Sequence, residues 1–101
     1  MALMSEKFGV PCGLSDHTLG KTAALIALGL GARMFEKHLT LYRNQRGPDH
    51  KASMTPGEMG KYVALLKNGY EGLGDGIKRI MPCEAENRKR YEQFIAGRVT
   101  C

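Results

Sequence analysis

Val10-Pro-Cys-Gly-Leu-Ser-Asp-His-Thr18 and Arg33-Met-Phe-Glu-Lys-His-Leu-Thr40, with an Ala/Leu-rich segment between them, decide the fold. Phe8 to Leu14 is a short apolar run bounded by turn residues, which predicts a buried strand. Thr18 to Leu30 carries Leu19, Ala23, Ile26, Ala27 and Leu30 at helical spacing, and Gly31 stands where a helix closes. Met34 to Leu39 reads as extended again. A helical crossover of this length returns the chain parallel to its start, so both strand C-termini lie at one end of a sheet.

That topology gathers chemistry. Ser15 and His17 are two apart and share a face at the first strand's end, as do Glu36 and His38 on the second. Adjacent strands, about 5 Å apart, then bring two imidazoles and a carboxylate to the C-terminal edge, where α/β folds place their sites. Two His and one Glu leave coordination positions open, a pattern suited to a catalytic Mn²⁺, Fe²⁺ or Zn²⁺. The plainer alternative makes His17 a helix cap and His38 a surface residue. Asp16 and Thr18 sit where the strand is expected to enter a helix, whose free N–H groups suit a phosphate or carboxylate. Simple N-capping is the alternative for Ser15 and Thr18.

Three motifs, Gly13-Leu-Ser-Asp-His-Thr18, Glu36-Lys-His-Leu-Thr-Leu41 and Gly47-Pro-Asp-His-Lys-Ala-Ser53, occur in this order and together resemble the N-acetylneuraminate (sialic acid) synthase family, with its legionaminate and pseudaminate relatives. The resemblance covers about residues 8 to 96. It implies an α/β fold: the last two βα units of a (β/α)₈ barrel, followed by C-terminal helices. Residues 1–101 then form a single partial domain without the antifreeze-protein-like domain of relatives, which Gly97-Arg98-Val99 only faintly suggests. Met1 to Lys7 reads as the tail of a preceding helix or a frayed leader.

The implied activity joins phosphoenolpyruvate to the open-chain aldehyde of an N-acetylated amino sugar, giving a nonulosonic acid and phosphate. His17 and His38 are implied to hold a divalent metal, foremost Mn²⁺ or Mg²⁺. Glu36 is implied to bind the sugar or a metal-bound water, Ser15 the phosphoenolpyruvate, and Asp49 the sugar hydroxyls. His50, Lys51 and Ser53 belong to the motif without an assigned role, and Tyr42 departs from the acidic residue common in relatives. The chain alone is expected to be inactive and to self-associate or be complemented by the missing barrel part. A non-catalytic remnant or interaction module that keeps the fold is the alternative.

The rest of the chain bounds these readings. One hundred and one residues make one domain at most, short of the roughly 250 that a full barrel needs. Hydrophobic residues make up 43% and charged ones 25%, an ordinary globular mixture. The net charge is +5, but the basic residues are scattered except at Arg88-Lys89-Arg90, and no aromatic interleaving accompanies them. The run reads as a solvated helix face, with no nucleic-acid partner expected. Cys12, Cys83 and Cys101 are odd in number and lack metal-type spacing, which predicts reduced thiols and a cytoplasmic protein. No apolar run reaches 18 residues, so no membrane span is expected.

Leu39 to Ser53 is a long polar loop, and loops of this length are usually functional. Thr55-Pro56-Gly57-Glu58 is a capping box with proline at the first helical position. Met59, Tyr62, Val63, Leu66 and Tyr70 mark the core face of the helix that follows. Pro82 is expected to start a last helix with Tyr91, Phe94 and Ile95 as its buried stripe.

Overall fold

The computed structural model describes residues 1–97, so Arg98, Val99 and Cys101 lie outside the described residues. Helix α1, Ala2–Phe8, ends at Gly9, whose φ of 62° is open to glycine without steric cost. Phe8 thus completes a helix instead of opening a strand. Pro11 has no N–H to offer a ladder, and strand β1 runs only over Gly13–Asp16.

Helix α2 is Thr22–Gly29, starting four residues later than the periodicity suggests. The cause is local. One carboxylate oxygen of Asp16 accepts from both the backbone N–H of Thr18, at 2.9 Å, and its hydroxyl, at 2.7 Å. That turn takes a donor a helix would use, and Gly20 follows at φ 83°. The C-terminus matches expectation: Gly31 N–H bonds to Leu28 and Ala32 N–H to Ala27, the paired bonds of a Schellman motif. Ala24, Ala27 and Leu28 are the buried face of α2, while Leu19, Ile26 and Leu30 are exposed.

Strand β2, Met34–Lys37, pairs parallel to β1 in the register Gly13–Met34, Leu14–Phe35, Ser15–Glu36 and Asp16–Lys37. The α/β class and the parallel crossover are as expected. The polar loop beyond it returns to the sheet: Leu39 and Met54 form a parallel bridge, with Thr40 N–H bonded to the Met54 carbonyl and Met54 N–H to that of His38, both at 2.9 Å.

Helix α3, Pro56–Leu73, begins at the expected capping box: both the N–H and the hydroxyl of Thr55 donate to Glu58. It packs on α2, and Ala24, Met54 and Tyr62 form the core with Phe35, Met59 and Leu66 against it. Of the expected core face, Val63 and Tyr70 are instead exposed. Tyr70 carries the guanidinium of Arg33 5.3 Å from its ring centre.

A short 3₁₀ turn at Pro82–Glu84 leads into α4, Ala85–Ala96. The expected stripe of Tyr91, Phe94 and Ile95 stays exposed, because α4 buries none of its residues. Arg88 pairs with Glu92 and Arg90 with Glu86 one turn apart, the solvated face expected of the basic run. Among the described residues no helix is long and apolar enough to cross a membrane.

Candidate functional site

The C-terminal ends of β1 and β2 meet as the period-two spacing requires. Ser15 and Glu36 are register partners, and the Ser15 hydroxyl donates to Glu36 Oε1 at 2.5 Å. His17 Nε2 lies 3.1 Å from the same hydroxyl oxygen. A serine has one proton, so with that proton on Glu36 the oxygen accepts from the Nε2–H of His17, leaving Nδ1 as the ring's lone pair. His38 meets His17 edge to face, centroids 4.9 Å apart and planes inclined by 70°. Ser15, His17, Glu36 and His38 all face solvent and line an open cavity of about 160 Å³.

Neither capping alternative holds for this cluster. The residue before α2 is Lys21, with no side-chain cap, so Ser15, His17 and Thr18 do not cap it. The helix N-terminus expected beside Thr18 is displaced to Thr22.

The other face of the same strand ends is closed. Asp16 is 2% exposed, and its carboxylate lies 3.2 Å from the Lys37 ammonium, itself out of contact with water. Lys37 also donates to the Thr18 carbonyl, and the Tyr62 hydroxyl reaches Asp16 Oδ2 from α3 at 3.5 Å. Burial pushes the Asp16 carboxyl upward, but the two bonds from Thr18 and the Lys37 charge together outweigh it and hold it below the ordinary carboxylate value. Tyr62 is pushed up to about 12 by burial and by the facing Asp16 charge.

Sequence reasoning did not single out this pair. The signal was present: Asp16 and Lys37 are opposite charges at the centre of two matched triplets, Ser-Asp-His and Glu-Lys-His.

The loop carrying the third motif is built around Thr40, which is 4% exposed. Its hydroxyl lies within hydrogen-bond distance of His50 Nδ1 (2.8 Å), the Tyr42 carbonyl (3.0 Å) and Gln45 Oε1 (3.1 Å). Ser53 donates to the Asp49 carbonyl at 2.7 Å. Arg43 donates to the Ser53 carbonyl and bidentately to Glu58, fastening the loop to α3. His50 and Ser53 therefore have structural roles within the loop. Asp49 is exposed and does not line the cavity of Ser15 and Glu36.

A divalent metal can be tested against the donors present. Two imidazoles ligating one ion side by side, through nitrogens about 2.1 Å from it, have centroids about 5 Å apart. His17 and His38 meet that separation. Among the described residues no group of three or more His, Cys, Asp and Glu side chains converges. The two imidazoles are the donors this edge offers to an ion.

A model described as the NeuB family matches residues 1–78. The chain is 42% identical over 98 residues to an N,N'-diacetyllegionaminic acid synthase of Legionella pneumophila, covering 97% of this chain and 28% of that protein. It is 38% identical over 95 residues to a pseudaminic acid synthase of Helicobacter pylori, covering 94% and 28%. The chain thus spans about a quarter of the length of the curated relatives it matches. Its structure resembles the N-acetylneuraminic acid (sialic acid) synthetase of Leptospira borgpetersenii, crystallised with citrate. The TM-score is 0.74 at 31% identity, over 89% of this chain and 32% of that one.

Proposed function

The chain belongs to the NeuB family, and from that membership we propose that it is the C-terminal part of the catalytic barrel of a nonulosonic acid synthase. The observation that carries the reading is the meeting of Ser15, His17, Glu36 and His38 at the C-terminal ends of two parallel strands, within the segment the family model matches. Synthases for two different sugar acids stand among its relatives. The acceptor is therefore assigned as a class, an N-acetylated amino sugar in its aldehyde form, with phosphoenolpyruvate as donor.

In the proposed reaction the methylene carbon of phosphoenolpyruvate forms a bond to the aldehyde carbon, water adds at the enol carbon, and phosphate leaves. His17 and His38 would hold Mn²⁺ or Mg²⁺, which when bound supplies Lewis-acid polarisation of the aldehyde oxygen. Glu36 takes the sugar or orients water, with general-base chemistry open to its carboxylate. Ser15 has its proton on Glu36, so a phosphate that claims this hydroxyl releases Glu36 Oε1 for the sugar or water. Asp49, exposed on the Thr40-centred loop, is assigned to the sugar hydroxyls. The unpaired thiols Cys12 and Cys83 suit a reducing, cytoplasmic setting.

A Mn²⁺ titration followed by EPR, with circular dichroism as the folding control, tests the metal assignment. Saturable binding should be lost in both His17→Ala and His38→Ala while the fold persists. Binding that survives both substitutions removes these residues as ligands. Activity is tested by substituting the chain for the matching segment of the L. pneumophila relative. Phosphate release should need both substrates and fall at least tenfold in Glu36→Gln. No metal binding and no release by the folded hybrid would favour the non-catalytic module.

A further inference from the structure

We propose that Asp16 and Lys37 are positioning residues, which fix the strand register and the backbone around His17 so that the two imidazoles meet. The apolar pattern is too short to set that register. On the covered face of each strand stands one apolar residue, Leu14 on β1 and Phe35 on β2, followed by one charge. A slip of two residues keeps every side chain on its own face, so hydrophobic burial discriminates weakly against it. The ion pair discriminates strongly. In the observed register Asp16 and Lys37 are direct partners, 3.2 Å apart and shut off from water. A two-residue slip parts them and strands both buried charges, and fixing register is the best-attested use of such a pair.

The pair also acts on His17 directly. Asp16 accepts from the N–H and the hydroxyl of Thr18, which folds the backbone of Asp16-His17-Thr18 into a tight turn. Lys37 donates to the Thr18 carbonyl and closes that turn from the neighbouring strand. Tyr62 ties the arrangement to α3 through Asp16. His17 is thus held between two residues anchored to one buried carboxylate, and His38 follows the lysine that grips it. Neither Asp16 nor Lys37 is asked to touch substrate or metal.

The proposal deepens the synthase reading, but its test does not need that reading to be right. NMR on the full chain, with labelled histidines, reads the cross-relaxation peak between the His17 and His38 rings, whose centroids lie 4.9 Å apart. Asp16→Asn combined with Lys37→Met removes both charges and leaves neither buried alone, with circular dichroism and thermal melting reporting the fold. The folded double variant should lose the ring-to-ring peak at least threefold, while Lys37→Arg keeps it. A folded double variant with the peak at full strength overturns the proposal and leaves the pair as a stability element only.

Should the double variant not fold, Thr18→Val decides. It sits at an exposed position and removes only the hydroxyl bond to Asp16. The peak should weaken about twofold with the melting temperature little changed, and an unaltered peak counts against the proposal. No saturable Mn²⁺ binding by the unsubstituted chain, with its ring-to-ring peak present, would instead refute the metal assignment and spare the positioning role.

Discussion

Tyr62 shows how far one buried hydroxyl can report on the interior. Burial first, and then the Asp16 charge, push its ionisation up to about 12. Because the folded state raises this pKa, the associated stability is complete below the unfolded value of about 10. It is lost as pH rises from there through about 12. An absorbance titration should therefore show a tyrosinate step near pH 12 that Tyr62→Phe abolishes. Glu58 has the opposite sign. Its bonds from the Thr55 N–H and hydroxyl, aided by Arg43 against a smaller desolvation cost, hold its carboxyl below the ordinary value. The stability it contributes is present above the unfolded pKa and fades as pH falls through the folded one. Thr55→Ala should cost about 1 kcal/mol in urea unfolding near neutral pH. The loss should shrink in acid, where protonated Glu58 accepts the Thr55 bonds more weakly than the carboxylate does.

At the scale of elements, legibility tracked how local the cause was. Thr55 to Glu58 and the Gly31 closure of α2 were readable because their hydrogen bonds span a few residues. The start of α2 was not, because Asp16 diverts the Thr18 N–H, a competition that apolar periodicity cannot register. Leu19, Ile26 and Leu30 have the spacing of a core face, yet among the described residues they stay exposed. The cluster of Ser15, His17, Glu36 and His38 was readable from period two plus a parallel crossover. The pairing of Asp16 with Lys37 was not read, since the same spacing that exposed their neighbours placed them on the other face. Two glycines test the packing. A Cβ on Gly13 would lie 2.5 Å from the Met34 carbonyl oxygen, so Gly13→Ala should disrupt the strand pair and the histidine contact with it. Gly60, inside α3 with nothing within 4 Å of such a Cβ, should gain about 1 kcal/mol as alanine, measured by urea unfolding.

As a whole molecule the chain is far from spherical. Its radius of gyration is 21.8 Å, against about 13 Å for a compact domain of this length. Phe8, Leu19, Ile26, Leu30, Leu41 and Phe94 are all more than half exposed. A two-stranded sheet with an open edge and this much apolar surface is a template for association. Sedimentation velocity on the isolated chain should show a coefficient that rises with concentration. A strictly monomeric chain at every concentration would contradict this. Complementation by the rest of a barrel should abolish the rise, because it covers the same surfaces.

The separation of α4 from the core has a consequence for how the chain can be cut. Residues 77–81 form no helix or strand, are exposed throughout, and contain Lys78 and Arg79. The side chain that Arg79 offers to trypsin pairs with Asp75, four residues back on the same surface segment. No backbone bond of the β1–β2 ladder or of α3 is spent in cleaving there. Trypsin at low dose should release a peptide beginning at Arg79 or Ile80 and leave α1 through α3 as a resistant remainder.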